Sequence, residues 1–259
     1  MKISIITVSL NNACTIGDTI NSVLSQTYEN IEYIIVDGKS TDGTVEIIMN
    51  YELRIKSEFP NIAFRWISEE DNGLYDAMNK GIAMAIGDVV GILNADDFFT
   101  DNLVLERIVA AFSENPDTQA TIGNVRFVKN KDLQKTVRYY KSAKFSTWQF
   151  RFGFMPPHPS FFTYRQNFQK FGLYKTDYKI AADYELLIRF LYKNKLNFRY
   201  LDLDTTKMRL GGTSSASLKN TVLLNREIIR ACRENDIHTN FFLLIFKYLI
   251  KIWELIFTK

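Results

Sequence analysis

The chain has 259 residues, 46% of them hydrophobic, which suffices for one large domain with a substantial core. Its formal charge of +3 gives no argument for nucleic acid. The cysteines, Cys14 and Cys232, lie far apart and point to a reducing compartment without a disulfide framework, and two histidines, His158 and His238, make no zinc pattern.

The first residues, Met1-Lys2-Ile3-Ser4-Ile5-Ile6-Thr7-Val8, enter a strand at once and lack the charged, apolar, small-residue layout of a signal peptide. The catalytic part is therefore expected in the cytoplasm. Strands are predicted at 2–8, 32–37, 62–67 and 88–93, with helices at 15–26, 42–56 and 75–86 between them. That alternation reads as a parallel sheet with crossover helices. A helix at about 101–114 is closed by Asn115-Pro116. Beyond 117 the pattern is less regular. Segments 119–128 and 133–139 read as strands, Pro156-Pro157-His158-Pro159 as a rigid loop, and 183–194 and 215–235 as helices. No flexible linker separates the halves. The expected organisation is one domain over 1–235, with a nucleotide-binding half at 1–117 and an acceptor and catalytic-base half at 118–235. A separate apolar helix is expected at 236–259.

The segment 87–99 carries the first chemical signal. A short apolar run, Val89 to Leu93, reads as a buried strand and ends in Asn94-Ala95-Asp96-Asp97. In an open α/β sheet, ligands sit outside the carboxyl ends of the strands. Paired acids there offer hard oxygen ligands to Mg²⁺ or Mn²⁺, whose use would be to hold a diphosphate. Read alone, such a pair is more often a turn or a helix cap. Two more predicted strands deliver polar loops to the same edge. The first exits into Ser9-Leu10-Asn11-Asn12, the second into Asp37-Gly38-Lys39-Ser40-Thr41-Asp42-Gly43-Thr44. Their joint placement favours a nucleotide crevice. There is no G-x-G-x-x-G and no phosphate loop of the G-x-x-x-x-G-K-[ST] type, so dinucleotide and P-loop binding are not expected.

At this point the sequence resembles the family 2 glycosyltransferases of GT-A fold, with a Rossmann-like, mostly parallel α/β sheet flanked by helices. The resemblance rests on Ile3 to Val8, on Ile35-Val36-Asp37-Gly38 through Thr44, on Asp71-Asn72-Gly73-Leu74-Tyr75-Asp76-Ala77-Met78-Asn79-Lys80-Gly81, on Gly87 to Asp97, and on Ala182-Asp183-Tyr184-Glu185-Leu186-Leu187-Ile188-Arg189. It covers roughly residues 1–212, with the motifs in order. It implies a hexosyltransferase-like enzyme that moves a sugar, with inversion, from a nucleotide diphosphate donor to an acceptor hydroxyl. A UDP-sugar is the default donor, and cell-surface polysaccharide synthesis the expected setting. By the resemblance, Asp37 lies against the base, and Thr7, Ser9 and Asn11 line the same pocket. Asp97 binds metal, and Asp96 contacts the donor ribose or the metal shell. Asn94 replaces the first acid of the D-x-D pattern and is a donor contact only by position. Asp71 and Lys80 are donor-contact candidates; a solvated helix face reads equally well. Asp183 matches the catalytic base, which takes a proton from the attacking hydroxyl; from the residues alone it reads as the cap of an apolar-faced helix. His158 is a candidate acceptor or phosphate contact or a structural loop residue, with Pro159 where the family often has Gln. Arg209, Gly211 and Gly212 resemble a mobile loop near the site, or open a helix.

The tail, 240–259, places Asn240, Lys247, Lys251, Glu254 and Thr258 on one narrow stripe, with Phe, Leu, Ile, Tyr and Trp elsewhere. Its charges argue against a simple span, and an interfacial helix on the inner face of the cell membrane is expected, suited to a lipid-linked or glycan acceptor. Packing against the domain itself or against a second subunit is the competing reading. Two other functions are considered. A sugar-nucleotide-forming nucleotidyltransferase would need a basic glycine-rich loop, which is not present; a non-catalytic scaffold conflicts with the intact Asp96, Asp97 and Asp183.

Overall fold

The structure, a computed structural model, describes residues 1–210 and 218–246. It resolves into two compact units. The first comprises Met1–Ala143, Pro156–Thr176 and Asn197–Leu210; the second comprises Lys144–Met155, Asp177–Leu196 and Gly211–Lys259.

The first unit begins β1 (Ile3–Ser9), α1 (Ile16–Leu24), β2 (Ile31–Asp37), α2 (Thr44–Glu58), β3 (Ala63–Ser68), α3 (Leu74–Met84) and β4 (Val89–Ile92). It continues β5 (Phe98–Phe99), α4 (Val104–Glu114), β6 (Ala120–Lys129), β7 (Asp132–Tyr140), β8 (Phe162–Tyr164) and α5 (Arg165–Phe171). Strand β9 (Phe198–Arg209) completes it. The strands β1 and β2 are buried at every residue, as expected where helices cover both faces of a parallel sheet. On one face, Ile3, Ile5, Tyr33, Ile35 and Val89 join a core with Ile16, Ile20, Val23 and Leu24 of α1 and with Leu105, Ile108 and Phe112 of α4. The α1 spacing i, i+4, i+7, i+8 turns one stripe inward. On the other face α3 approaches β1 so closely that a Cβ on Gly81 would collide with Ile6.

The sheet order is β3-β2-β1-β4-β8-β6-β9-β5, with β7 also pairing with β6. The first four strands are parallel, as predicted. The expectation of a mostly parallel sheet needs correction. The pairs β4–β8, β6–β8, β6–β7 and β5–β9 are antiparallel, and only β6–β9 continues the parallel sense. The sheet is mixed because its second half uses short reversals instead of helical crossovers. Two of these strands escaped the sequence reading for physical reasons. Strand β8 has three residues, too few to show a period, and β9 carries Arg199, Asp202, Asp204 and Lys207 on a segment whose apolar alternation is only Leu201 and Leu203.

In the second unit, a 3-10 segment, Thr147–Phe152, is held by a capping box between Ser146 and Gln149. Helices α6 (Ala182–Leu187) and α7 (Leu218–Glu234) follow. The predicted single helix at 183–194 divides. After Leu187 it widens into a π-helical turn, Ile188–Lys193, where Asn194 N–H donates to the Arg189 carbonyl at 3.0 Å. The tail begins helically at 241–246; its remainder, 247–259, lies outside the described residues, as do Gly211 and Gly212. Among the described residues no helix is long and apolar enough to cross a membrane.

Candidate active site

The parallel register sets the first polar layer. Ser9 of β1 pairs with Asp37 of β2, and Asp37 with Ser68 of β3, so three polar residues end their strands in one row. The Asp37 carboxylate is fully buried and accepts bonds from Ser40 N–H at 2.9 Å, Ser40 Oγ at 2.5 Å and Ser68 Oγ at 2.7 Å. These three donors satisfy an acid that could not otherwise remain in the interior. Thr7 is buried one step below, its hydroxyl 3.2 Å from that of Tyr33.

The first two loops are laced together. Asn11, in a left-handed conformation (φ 55°), donates its N–H to Ser40 Oγ at 2.7 Å and accepts from Thr41 N–H at 2.9 Å. Ala13 N–H donates to Asp42 Oδ2 at 3.0 Å and Asn12 N–H to Thr44 Oγ1 at 2.9 Å. Asn can occupy that backbone region at modest cost, and its side chain repays it with a local bond. Asp71 closes on the same loop, because a Cβ on Gly38 would stand 2.5 Å from Asp71 Oδ2. Only glycine permits that approach. Lys80, by contrast, spends its ammonium on the Glu70 carbonyl at 2.7 Å and on Glu69 at 2.8 Å, and the Glu69 carboxylate raises its pKa.

The acidic end of β4 forms the second layer. Asp97 is 1% exposed, and its Oδ2 has no hydrogen-bond partner among the described residues; nor has Asn94 Oδ1. Burial, and secondarily the neighbouring Asp96 charge, hold the Asp97 carboxyl well above the usual range. Burial also raises Asp96. The opposing influence is Arg209, which terminates β9. Its guanidinium pairs with Asp18 of α1, and it lies over Phe98 at 5.2 Å from the ring centre. The guanidinium is nearly buried, and its Nε has no partner among the described residues.

An orphaned, buried carboxylate oxygen with a second acid next to it is the chemistry a hard divalent cation satisfies. The two oxygen-bearing residues fit Mg²⁺ or Mn²⁺, with the remaining positions left for donor oxygens and water. Among the described residues there is no group of three or more His, Cys, Asp or Glu side chains that could hold a metal without such outside ligands.

His158 lies elsewhere in the unit. It is buried, its Nε2 is 2.7 Å from the Tyr174 hydroxyl, and burial lowers its pKa to about 4, so it is neutral at pH 7. In the second unit Asp183 is the second residue of α6. It does not cap that helix, since Ala181 holds the N-cap position and no side-chain cap bond is made. Its Oδ1 accepts from Tyr184 N–H at 2.8 Å.

The structure thus brings Ser9, Asn11, Asp37 and Asp71 into one laced loop system, and Asn94, Asp96, Asp97 and Arg209 into another. The sequence reading missed Ser40, Ser68 and Asp18 as partners of these groups. Ser40 had a signal, its place three residues after Asp37 in an Asx-turn pattern; Asp18 lies 191 residues from Arg209 and had none.

Residues 4–178 match the family model for glycosyl transferase family 2. An uncharacterized glycosyltransferase of Mycobacterium tuberculosis is 34% identical over 192 residues, 72% of this chain and 68% of that protein. A PGL/p-HBAD biosynthesis glycosyltransferase of the same species is 28% identical over 225 residues, covering 86% and 82%. In three dimensions the chain is similar to S. aureus TarS 1–349 in complex with UDP-GlcNAc, with TM-score 0.66 and 18% identity over 92% of this chain and 68% of that one. It is also similar to the mannosyltransferase PcManGT of Pyrobaculum calidifontis in complex with GDP-Man and Mn²⁺, with TM-score 0.62 and 18% identity over 90% and 63%. The solved structures share its fold, the family match covers more than half of the chain, and the chain belongs to glycosyl transferase family 2: it is a glycosyltransferase.

Proposed function

We propose that this glycosyltransferase is metal-dependent and inverting, with a UDP-sugar as donor and a cell-surface glycan or its lipid-linked precursor as acceptor. The observation that carries the reading is the buried, partnerless Oδ2 of Asp97 beside Asp96 at the carboxyl end of a parallel strand. A Mn²⁺ or Mg²⁺ there would neutralise charge on the departing diphosphate. The half formed by residues 1–117 holds the nucleotide. Asp37 and the laced loops around Ser9 and Asn11 face the base and ribose, and Asp71 borders them. Asp96 turns toward the ribose or the metal shell, with Asn94 at the pocket's edge. Arg209 supplies positive charge beside the acids. Asp183 accepts the proton of the acceptor hydroxyl as that oxygen attacks C1. The UDP-GlcNAc bound to TarS and the GDP-Man and Mn²⁺ bound to PcManGT support the donor class and the metal.

The same reading places the enzyme at a membrane surface. In the second unit Trp148, Phe242 and Phe246 are 58%, 77% and 52% exposed, and Phe152 stacks edge-on against both Trp148 and Phe246. Exposed aromatics next to Lys144 and Arg151 suit the headgroup boundary of anionic lipid. The test of the catalytic reading is a screen of UDP, GDP and TDP, each with Mn²⁺, Mg²⁺ or chelator, for thermal stabilisation. Stabilisation by UDP that requires the metal is expected; equal stabilisation in chelator would overturn the metal assignment.

A further inference from the structure

Three consecutive backbone N–H groups precede the helix that carries Asp183, and one side chain takes all of them. Glu227 of α7 accepts from Lys179 N–H at 2.8 Å through Oε1, and from Ile180 and Ala181 N–H, both at 2.9 Å, through Oε2. The carboxylate is 7% exposed, so these bonds are what keep it in the interior. Helix α6 has six residues and no side-chain cap of its own. A helix that short does not stand by itself in water. Its entry is fixed from outside, and by a charged acceptor, which makes the stronger kind of hydrogen bond.

The same helix holds α6 from its other side. Asn235, immediately after α7, donates to Glu185 Oε1 at 3.3 Å, and Glu185 pairs with Arg189 at 2.9 Å. The Tyr184 hydroxyl bonds to the Phe150 carbonyl and lies 3.9 Å from Cys232 Sγ of α7. Asp183 therefore stands between two points gripped by α7, and at the first of them the Glu227 carboxylate acts on the backbone directly.

We infer that Glu227 is a positioning residue for the reaction: its carboxylate sets the backbone at 179–181 and thereby the placement of the Asp183 carboxylate. This rests on Asp183 being the general base. An error of about 1 Å in placing a reacting group can cost on the order of 10²-fold in rate. Glu227→Gln keeps size but presents an amide NH₂ to one or more of the three donors. Turnover of the donor selected from a panel of UDP-, GDP- and TDP-hexoses, read as released nucleoside diphosphate, should fall about 10- to 100-fold in kcat. The donor KM and the metal-dependent nucleotide stabilisation should not change. Glu234→Gln is the control, because Glu234 also serves this unit, accepting from the Tyr178 hydroxyl at 3.0 Å and Arg230 Nε at 2.7 Å. It should lower the melting temperature yet leave kcat within about twofold. Asp183→Asn and the double variant complete a cycle. If Glu227 acts through Asp183, Glu227→Gln adds little to Asp183→Asn, since residues acting as a unit are not additive.

Unchanged kcat in folded Glu227→Gln, a raised donor KM, or full additivity with Asp183→Asn would each overturn the proposal. Wild-type turnover in Asp183→Asn alone would overturn the base assignment, and the proposal with it, and is distinguishable from the others. If Glu227→Gln does not fold, Glu227→Asp keeps the charge but shortens the reach, and its full activity would refute the positioning role.

Discussion

The Asp97 side chain is where burial and chemistry conflict most openly. Its folded pKa is raised, so ionisation at neutral pH opposes folding unless a cation compensates. Asp97→Asn should accordingly have effects of opposite sign. Metal-free protein should gain stability on the order of 1–3 kcal/mol, because an unpaired buried charge is removed. Metal-dependent stabilisation by UDP and turnover should both disappear. Melting curves with and without Mn²⁺ check this; an Asp97→Asn variant still stabilised by metal and nucleotide would place the metal elsewhere. His158 supplies a second prediction at this scale. Its folded pKa of about 4 lies below the usual 6.5, so between those values the unfolded chain binds the extra proton and the folded one does not. Stability is complete above pH 6.5 and is lost as pH falls toward 4, by on the order of 3 kcal/mol in all. His158→Asn should flatten that part of the stability–pH profile, and an unchanged slope would refer it to other groups. Legibility at this scale was uneven. Asp37, Asp96 and Asp97 were readable because each follows an apolar run, so strand and strand end come together in one window. The Arg209–Asp18 pair beside Asp97 was not, because β9 reaches that place by an antiparallel pairing with the two-residue β5 that no local pattern announces.

The same contrast separates the elements. The first four strands and the helices between them were legible because crossover connections alternate short apolar runs with amphipathic segments of period 3.6. The second half was not, because β8 is too short and β9 too charged for a period to emerge. Yet β9 delivers Arg209 to Asp97, so the missed strand bears on the site as much as the obvious ones. Arg209→Lys tests that. Lysine keeps the charge but loses the planar guanidinium that pairs with Asp18 and lies over Phe98. Donor affinity should fall about tenfold, since a guanidinium stacked over an aromatic ring does not accept the exchange, an effect of about 1.4 kcal/mol. Unchanged donor KM in this variant would assign Arg209 to the fold only. Helix α6 makes the complementary point. Its apolar spacing was legible as a helix, but its early end at Leu187 was not, because the π-helical turn after it depends on Glu185, Arg189 and Asn194 bonding across unequal spacings.

At the scale of the whole molecule, the tail was expected to be a separable apolar helix from 236 onward, but its first residues are part of the second unit. Ile237 and Leu244 are buried, the Thr239 hydroxyl donates to the Arg151 carbonyl at 2.5 Å, and Asn240 Oδ1 accepts from Leu243 N–H at 3.0 Å. A cut before 240 would therefore strip buried contacts and confuse unfolding with release. A cut after Phe246 removes Lys247, Lys251, Lys259 and the Trp253 segment while leaving those contacts in place. The truncated protein should keep its melting temperature and its metal-dependent response to UDP, and should lose most flotation with vesicles of anionic phospholipid. Each lysine near the surface contributes about 1 kcal/mol of attraction, and burial of the apolar side chains contributes about 25 cal/mol for each Å² removed from water. The aromatics that remain predict residual binding, so Trp148→Glu with Phe242→Glu in the truncated chain should abolish it. Both side chains are already exposed, and their replacement leaves no cavity. High salt should weaken full-length binding, because the lysine contribution is screened while the apolar one is not. Flotation unchanged by truncation and by both substitutions would remove this face from contact with lipid and leave packing against protein as its use.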